Sequence, residues 1–184
     1  MSTDIVLVSR VILPEFREKL LSLLHEESSE VSNVITQKSC SRIQSLLEDA
    51  ESKGAILTKS TNKQNSPVIS ATLIEGLTPD MDFYHSESFG PLLGIIPFDE
   101  EKEAVRIVNS SPFGLSGAIF TRNHFRGIKI AQELDNGATH INGSTVHDEV
   151  TLPHGGMGDS GWGRFGASWG LQEFLQTKTI IVNE

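Results

Sequence analysis

Two histidines and two carboxylates in one short stretch are the residues best suited to chemistry. His147 is followed directly by Asp148 and Glu149, and His154 comes five residues after Glu149. A histidine beside carboxylates can act as a general acid and base, because the carboxylate orients the imidazole ring for proton transfer. Adjacent residues of an extended segment point in opposite directions, so direct neighbours need not touch. These four residues are the predicted catalytic groups, and a polar loop rim is the alternative interpretation.

Side chains able to bind an organic ligand lie on both sides of this stretch. Asn142, at the end of a predicted strand, could donate a hydrogen bond to a substrate oxygen or cap the turn that follows. Trp162, Phe165 and Trp169 could wall a pocket for an aromatic ligand, although core packing is the commoner role of such residues. Cys40 falls at the start of a predicted helix, where a thiol is either activated or incidental.

Motifs for metals and cofactors are missing from the sequence. A single cysteine excludes an intramolecular disulfide and a cysteine-rich zinc site. The glycines of residues 153–166 do not lead to a second parallel strand with a ribose-binding acid, as a dinucleotide-binding fingerprint requires. The sequence therefore predicts that the chain uses no metal and no cofactor.

Composition and charge limit the partners that the protein can have. The 184 residues include 15 Lys and Arg against 24 Asp and Glu, which gives a net charge of −9. Nucleic acid and anionic membranes attract basic surfaces, so neither is an expected partner. No apolar run approaches the roughly 18 residues of a membrane-spanning helix. The first residues also lack the basic start and the cleavage site of a signal peptide, so we expect a cytoplasmic protein.

Helical and strand patterns alternate along the chain. Apolar residues at helical spacing predict helices, and short runs rich in β-branched residues between turn signals predict strands. The predicted helices are 14–26, 39–53, 99–110, 123–134 and 168–176, the predicted strands are 5–8, 55–57, 68–73, 92–98, 117–121, 139–142 and 179–183, and polar loops are predicted at 26–30 and 60–67. This alternation predicts an α/β fold, a largely parallel sheet flanked by helices. The length fits a single domain, residues 1–184.

Four stretches, in this order, resemble the catalytic domain of the NAD(P)-dependent aldehyde dehydrogenase superfamily. They are Glu87-Ser88-Phe89-Gly90-Pro91 and residues 112–121, 137–143 and 153–164. Residues 142–149 are most similar to the branch that acts on aromatic aldehydes, such as salicylaldehyde and vanillin dehydrogenases. The resemblance implies the fold of that catalytic domain and places residues 147–149 in the loop that lines the substrate entrance.

The resemblance extends to the first residues of the chain. In that branch the catalytic cysteine is followed by a Met-Ser-Thr-type segment, so the chain is expected to begin just after the nucleophile, at Met1. The dinucleotide-binding domain, the cysteine and the general-base glutamate would then be absent. Glu87 and Phe89 match the positions that contact the nicotinamide ribose and ring. They are interpreted either as vestigial cofactor contacts or as a turn that enters a strand.

Conventional turnover as an NAD-dependent dehydrogenase is not expected without the nucleophile and the cofactor domain. The favoured hypothesis is a repurposed enzyme that binds an aromatic or carbonyl-bearing small molecule and catalyses a non-redox isomerisation, cyclisation or addition. One alternative is a non-catalytic oligomerisation or regulatory partner of a full-length relative, and another is one fragment of a split dehydrogenase. The resemblance implies that the apolar residues 179–183 form an interface strand, from which we expect a homodimer.

Overall fold

The computed structural model describes residues 3–26, 34–60 and 69–183. The contacts within the chain divide it into two compact units, Met1–Ile107 and Val108–Glu184. The single domain expected from the sequence stays a prediction. The loops predicted at 26–30 and 60–67 fall outside the described residues except for Glu26 and Ser60, as does Val68, the first residue of a predicted strand.

The first unit is built on a four-stranded sheet. Its strands are β1 (Ile5–Ser9), β2 (Ile56–Lys59), β3 (Thr72–Glu75) and β4 (Leu92–Phe98), in the spatial order β1-β4-β3-β2. β4 pairs in parallel with both β1 and β3, and β2 pairs antiparallel with β3. The loop that leads into the central strand β4 is the one that carries the predicted nicotinamide contacts.

Helices cover both faces of this sheet. α1 (Leu13–Glu26) packs on one face, and α2 (Gln37–Ser52) packs on the other, where α3 (Asp82–His85) lies beside it. Successive side chains of a strand point to opposite faces. Leu73 therefore packs with Val8, Ile95 and the apolar side chains of α1, which form the α1 cluster, and Ile74 packs with the buried side chains of α2 in the α2 cluster. The first unit therefore has three layers, and its sheet is buried on both faces as a parallel sheet requires.

The sequence of α2 explains its position. The hydroxyl of Thr36 accepts a hydrogen bond of 3.1 Å from the Ser39 N–H and so caps the first turn. Gly54, at φ 97°, follows the last turn in the left-handed conformation that glycine adopts without strain. The apolar residues recur every three or four positions and are all buried: Cys40, Ile43, Leu46, Leu47 and Ala50. Each large one contributes about 1.5–3 kcal/mol by leaving water.

The second unit contains short elements. A β-α-β unit and a two-stranded antiparallel ribbon account for most of them, and one further helix follows. In chain order the unit includes the end of α4 (Glu101–Asn109), then β5 (Phe113–Gly114), β6 (Ser116–Ile119), α5 (His124–Ala131), β7 (Ala138–Ile141), β8 (Met157–Gly158) and α6 (Ala167–Gln172). β6 pairs in parallel with β7, and β5 pairs antiparallel with β8.

The predicted α/β class with a mostly parallel sheet is confirmed. Each of the five predicted helices forms with bounds within a few residues, and the strand predicted over 92–98 coincides with β4. The strand predicted over 68–73 lies further along the chain as β3, because the pairing of β3 with β4 begins at Thr72. No helix in the described ranges has the length and apolar content to cross a membrane. The cytoplasmic location stays a prediction.

The prediction of a terminal strand over 179–183 is wrong for the single chain. Residues 175–183 adopt neither helix nor strand, and Ile180, Ile181 and Val182 are exposed. A strand exists only where a neighbouring strand accepts and donates its hydrogen bonds, and none of the described strands pairs with this stretch. Pairing of residues 179–183 with a second copy stays a prediction.

Candidate functional site

The loop before β4 holds Phe89 in a strained backbone conformation. Its φ of 49° lies in the left-handed region, which is costly for a bulky residue. Its ring is 76% exposed, so no burial of the side chain compensates for that cost. Strain of this kind persists only where the surrounding structure determines the conformation, and it is concentrated at ligand-binding and catalytic sites.

Ser88 anchors this loop from the inside. The side chain is fully buried, and its hydroxyl donates to the Asp4 carboxylate at 2.5 Å. The Ser88 N–H donates to the other oxygen of the same carboxylate at 3.1 Å. The Gly90 N–H in turn donates to Ser88 Oγ at 3.1 Å. These bonds fix the backbone on both sides of Phe89.

A second anchor comes from α2. The guanidinium of Arg42 donates to the backbone carbonyl of Glu87 at 2.9 Å and also to that of Ser88. The side chains of Glu87 and Phe89 are left exposed while their backbone is held in place. The loop is thus a rigid turn that displays a carboxylate and an aromatic ring.

This arrangement is compatible with the two nicotinamide contacts that the family resemblance implies for Glu87 and Phe89. A fixed, exposed phenyl ring can pack against a planar ring, and an exposed carboxylate can accept hydrogen bonds from ribose hydroxyls. The fit is limited to Glu87 and Phe89, since the sequence has no glycine-rich phosphate-binding fingerprint. Contact of these two residues with a nicotinamide stays a prediction, and so does the alternative of a turn that only enters β4.

In the second unit, the four predicted catalytic residues form two separate pairs. His147 Nε2 lies 3.2 Å from Glu149 Oε1, and His154 Nδ1 lies 3.5 Å from Asp148 Oδ1. His147 and Asp148 therefore face different partners, as expected for adjacent residues of an extended segment. The side chains of His147 and Glu149 are more than half exposed, whereas that of His154 is 19% exposed. Their catalytic role stays a prediction.

The glycine-dense segment, residues 153–166, positions His154. The backbones of His154 and Phe165 exchange two hydrogen bonds of 2.8 and 2.9 Å, and their rings lie 4.9 Å apart between centroids. Arg164 closes the same segment by donating to the Gly156 carbonyl at 2.9 Å. Residues 154–165 therefore form a closed loop with the His154 ring held at its base against Phe165.

Asn142 has a structural role that the sequence did not suggest. Its side-chain oxygen accepts from the Thr121 N–H and its side-chain nitrogen donates to the Thr121 carbonyl, both at 2.8 Å. These two hydrogen bonds join the ends of β6 and β7, and Asn142 adopts a φ of 56° to make them. Contact of Asn142 with a substrate stays a prediction.

His140 is a candidate residue that the sequence reasoning missed. Its Nε2 is enclosed and has no hydrogen-bond partner among the described residues. Its ring lies 6.2 Å from that of His147 in an edge-to-face arrangement. His140 lies two residues before Asn142 in the predicted strand 139–142, and this proximity was the signal available in the sequence.

The aromatic residues of the glycine-dense segment and of α6 are not packed in a core. Trp162 is 97% exposed, and Phe165 and Trp169 are 57% and 44% exposed, so the expectation of core packing is wrong for them. Their role in binding an aromatic ligand stays a prediction.

Cys40, in contrast, is buried within the α2 cluster and serves packing there. Among the described residues, no group of three or more His, Cys, Asp or Glu could hold a metal ion.

Comparisons with known proteins show which proteins the chain is similar to. A model described as the aldehyde dehydrogenase family matches residues 1–180. Vanillin dehydrogenase of Pseudomonas sp. (strain HR199 / DSM 7063) is 35% identical across 99% of this chain and 39% of its own length. Salicylaldehyde dehydrogenase of Pseudomonas putida is 32% identical over the same shares. The chain therefore spans about two fifths of the length of the curated relatives it matches.

Solved structures give the same result. The crystal structure of a salicylaldehyde dehydrogenase from Pseudomonas putida G7, complexed with salicylaldehyde, matches with a TM-score of 0.81 at 31% identity. The match covers 92% of this chain and 37% of that one. An aldehyde dehydrogenase from Brucella melitensis matches with a TM-score of 0.84 at 30% identity, over 95% of this chain and 38% of that one.

Proposed function

Since this chain belongs to the aldehyde dehydrogenase family, we propose that it serves the oxidation of aromatic aldehydes. It would be the portion that contacts the nicotinamide and lines the substrate entrance. The preference for aromatic aldehydes is supported by the names of similar proteins, which are vanillin, salicylaldehyde and benzaldehyde dehydrogenases. The observation that carries the proposal is the rigid loop that displays Phe89. The thiol nucleophile and the remaining dinucleotide contacts would come from polypeptide other than these 184 residues.

The chain's own residues have defined tasks in this proposal. A bound nicotinamide supplies the hydride acceptor for the oxidation. The Phe89 ring packs against that planar group, and the Glu87 carboxylate accepts hydrogen bonds from the ribose hydroxyls. Because the loop is already rigid, little ordering entropy is lost when a ligand binds to it. His147 and Glu149 form a polar pair at the substrate entrance.

Two contacts limit the affinity that the chain can reach by itself. Micromolar binding needs about 8 kcal/mol and millimolar binding about 4 kcal/mol. We expect the isolated chain to bind nicotinamide mononucleotide only in the millimolar range. Saturation-transfer NMR suits this range, because it observes the protons of a weakly bound ligand directly.

The test compares Phe89→Ala with a matched control, Phe120→Ala. Phe120 is 75% exposed, like Phe89, but lies in the second unit. We expect the wild type and Phe120→Ala to transfer saturation to the nicotinamide ring protons and to salicylaldehyde. We expect Phe89→Ala to lose the transfer to the nicotinamide protons. Equal transfer in the two variants, or none in the wild type, would contradict the proposal.

The two histidine–carboxylate pairs favour a second candidate function. In this alternative the chain alone binds an aromatic carbonyl compound and catalyses a non-redox isomerisation, cyclisation or addition. His147, held by Glu149, or His154, held by Asp148, would then take a proton from the substrate and return it. The support for it is the pairing distances of 3.2 and 3.5 Å.

Variants of the histidines separate the two functions. A panel of aromatic aldehydes and ketones is incubated with the chain without any dinucleotide, and products are followed by NMR. The second candidate predicts turnover that is lost in His147→Gln or His154→Gln. His124→Gln, an exposed histidine on α5, is the control and should retain it. Turnover that persists in both test variants, or that requires NAD, would rule this candidate out.

A further inference from the structure

Asp4 connects the segment before β1 to the loop that carries Phe89. Its backbone carbonyl accepts a 2.8 Å hydrogen bond from Gly94 in β4, and its carboxylate accepts both hydrogen bonds of Ser88. We propose that Asp4 is a positioning residue, which acts through Ser88 to hold the Phe89 ring ready for a nicotinamide group. The inference rests on the proposed function of Phe89.

The geometry leaves Ser88 no alternative partner of equal strength. Ser88 is fully buried, so in the folded chain its hydroxyl and its N–H bond to the Asp4 carboxylate and not to water. The two donors go to different oxygens of the Asp4 carboxylate, which fixes Ser88 in one orientation. Hydrogen bonds to a charged acceptor are shorter and stronger than neutral ones. Asp4 and Arg42 together therefore hold the backbone that immediately precedes Phe89.

The same bonds determine the backbone that follows Phe89. The oxygen of the Ser88 hydroxyl, oriented by its donation to Asp4, accepts the Gly90 N–H at 3.1 Å. Phe89 thus lies between Ser88 and Gly90, which are hydrogen-bonded to each other through the Ser88 hydroxyl. Without Asp4, the Ser88 N–H loses its acceptor and the Ser88 hydroxyl keeps only the Gly90 carbonyl, at 3.3 Å. The loop can then relax to the negative φ that phenylalanine prefers. The ring would then leave its present orientation.

Loss of the Asp4 side chain is expected to spare the sheet. The bond from Gly94 to Asp4 uses the backbone carbonyl, which an alanine retains. The pairing of β1 with β4, from Ile5 with Gly94 to Ser9 with Phe98, also uses only the backbone. The effect on the ring can therefore be measured in a folded protein.

The experiment places 4-fluorophenylalanine at position 89 and follows its fluorine resonance. The variants are Asp4→Ala, Asp4→Asn and a control, Thr72→Val, which removes a buried hydroxyl that donates to the Ser70 carbonyl at 2.8 Å. Each protein is titrated with nicotinamide mononucleotide. Folding is verified from the amide spectrum of β4.

We expect Asp4→Ala to shift or broaden the resonance and to raise the apparent Kd for nicotinamide mononucleotide. If only a tenth of the molecules keep the competent loop, the Kd rises about tenfold. Asp4→Asn keeps one acceptor oxygen and should give an intermediate Kd, even if Asp4→Ala does not fold. Thr72→Val should change neither the resonance nor the Kd, although it destabilises the same unit.

Two results would overturn the role of Asp4. One is a resonance that is unchanged in the Asp4 variants, and the other is an equal change in Thr72→Val. A wild type that shows no response to nicotinamide mononucleotide would instead refute the proposed function of Phe89. In that case the ligand-free resonance still decides whether Asp4 positions the ring.

Discussion

Within the described residues, the buried hydrophobic side chains all lie in the first unit, whereas most of the exposed large ones lie in the second. Ile43, Ile74 and Phe83 have no exposed surface in the first unit. Trp162 and Phe174 of the second unit are 97% and 89% exposed. The first unit is therefore stabilised by removal of apolar surface from water, the main driving force of folding, and the second unit gains much less from it.

The second unit depends instead on close approaches of its backbone. A Cβ on Gly137 would lie 1.6 Å from the carbonyl oxygen of Gly155, and one on Gly158 would lie 2.3 Å from that of Pro112. Only glycine permits such contacts, because any side chain would displace the neighbouring backbone. Apolar periodicity therefore specifies much of the first unit, whereas close backbone approaches at glycine specify much of the second.

The strongest test of this contrast is Phe83→Ala. Removal of this fully buried ring should lower the free energy of unfolding of the first unit by about 3–5 kcal/mol, through lost burial and a cavity. Phe125→Ala, at a ring that is 82% exposed in the second unit, should change stability by less than about 0.5 kcal/mol. Both values come from denaturant unfolding followed by circular dichroism. Similar losses in the two variants would show that burial of apolar side chains stabilises both units equally.

Gly137→Ala tests the second unit. The added methyl group forces the backbone of Gly155 away, at a cost of about 1–3 kcal/mol. Amide hydrogen exchange should speed up in β6 and β7 while the amides of β3 and β4 stay protected. Gly143→Ala is the control, since the nearest atom to its added Cβ would be 3.8 Å away. Protection in β6 and β7 that survives Gly137→Ala would remove the role assigned to the glycines.

The smallest expected effect concerns a polar contact on the surface of the first unit. Lys53 and the N–H of Asp82 hold the pKa of Asp49 below its ordinary value of 3.8. A carboxyl with a lowered pKa in the folded state stabilises the protein above its unfolded pKa, and this contribution is lost as the pH falls through the folded value. Asp49→Asn should therefore flatten the dependence of the unfolding midpoint on pH as the pH falls below 3.8.

The control for Asp49→Asn is Glu48→Gln, its exposed neighbour on α2. We expect the wild-type pH profile to be retained in that variant. A profile that flattens equally in both variants would show that the effect belongs to net charge rather than to the Lys53 contact. The contact between Asp49 and Lys53 would then have no effect of its own on the pH dependence of stability.

Local patterns predicted much of the first unit. The spacing from Cys40 to Ala50 identified α2, and the apolar run from Leu92 to Phe98 identified β4 to the residue. The ribbon of β5 and β8 was missed, because strands of two residues are too short to show alternation. The terminal stretch was predicted as a strand from its β-branched residues, but propensity supplies no pairing partner.

The candidate site was only partly predictable, because some of its contacts join residues that are far apart in the sequence. Glu87 and Phe89 were identified by resemblance, and alternation suggested that His147 and Asp148 face different partners. The strain at Phe89 could not be read from the sequence, because it depends on Asp4, which lies 84 residues before Ser88. Contacts between residues so far apart are set by the sheet and not by local spacing.

The parallel pairing of β1 with β4 also affects how the chain folds. Ile5 pairs with Gly94 across about 90 residues, so this contact has one of the longest loops to close in the first unit. During synthesis β1 leaves the ribosome long before its partner exists. Until β4 emerges, Val8 lacks the strand that pairs with it and that helps to bury it in the finished unit. Closure of this pair is therefore expected to come late and to limit the folding rate, and the interval before it is when the chain is most open to aggregation.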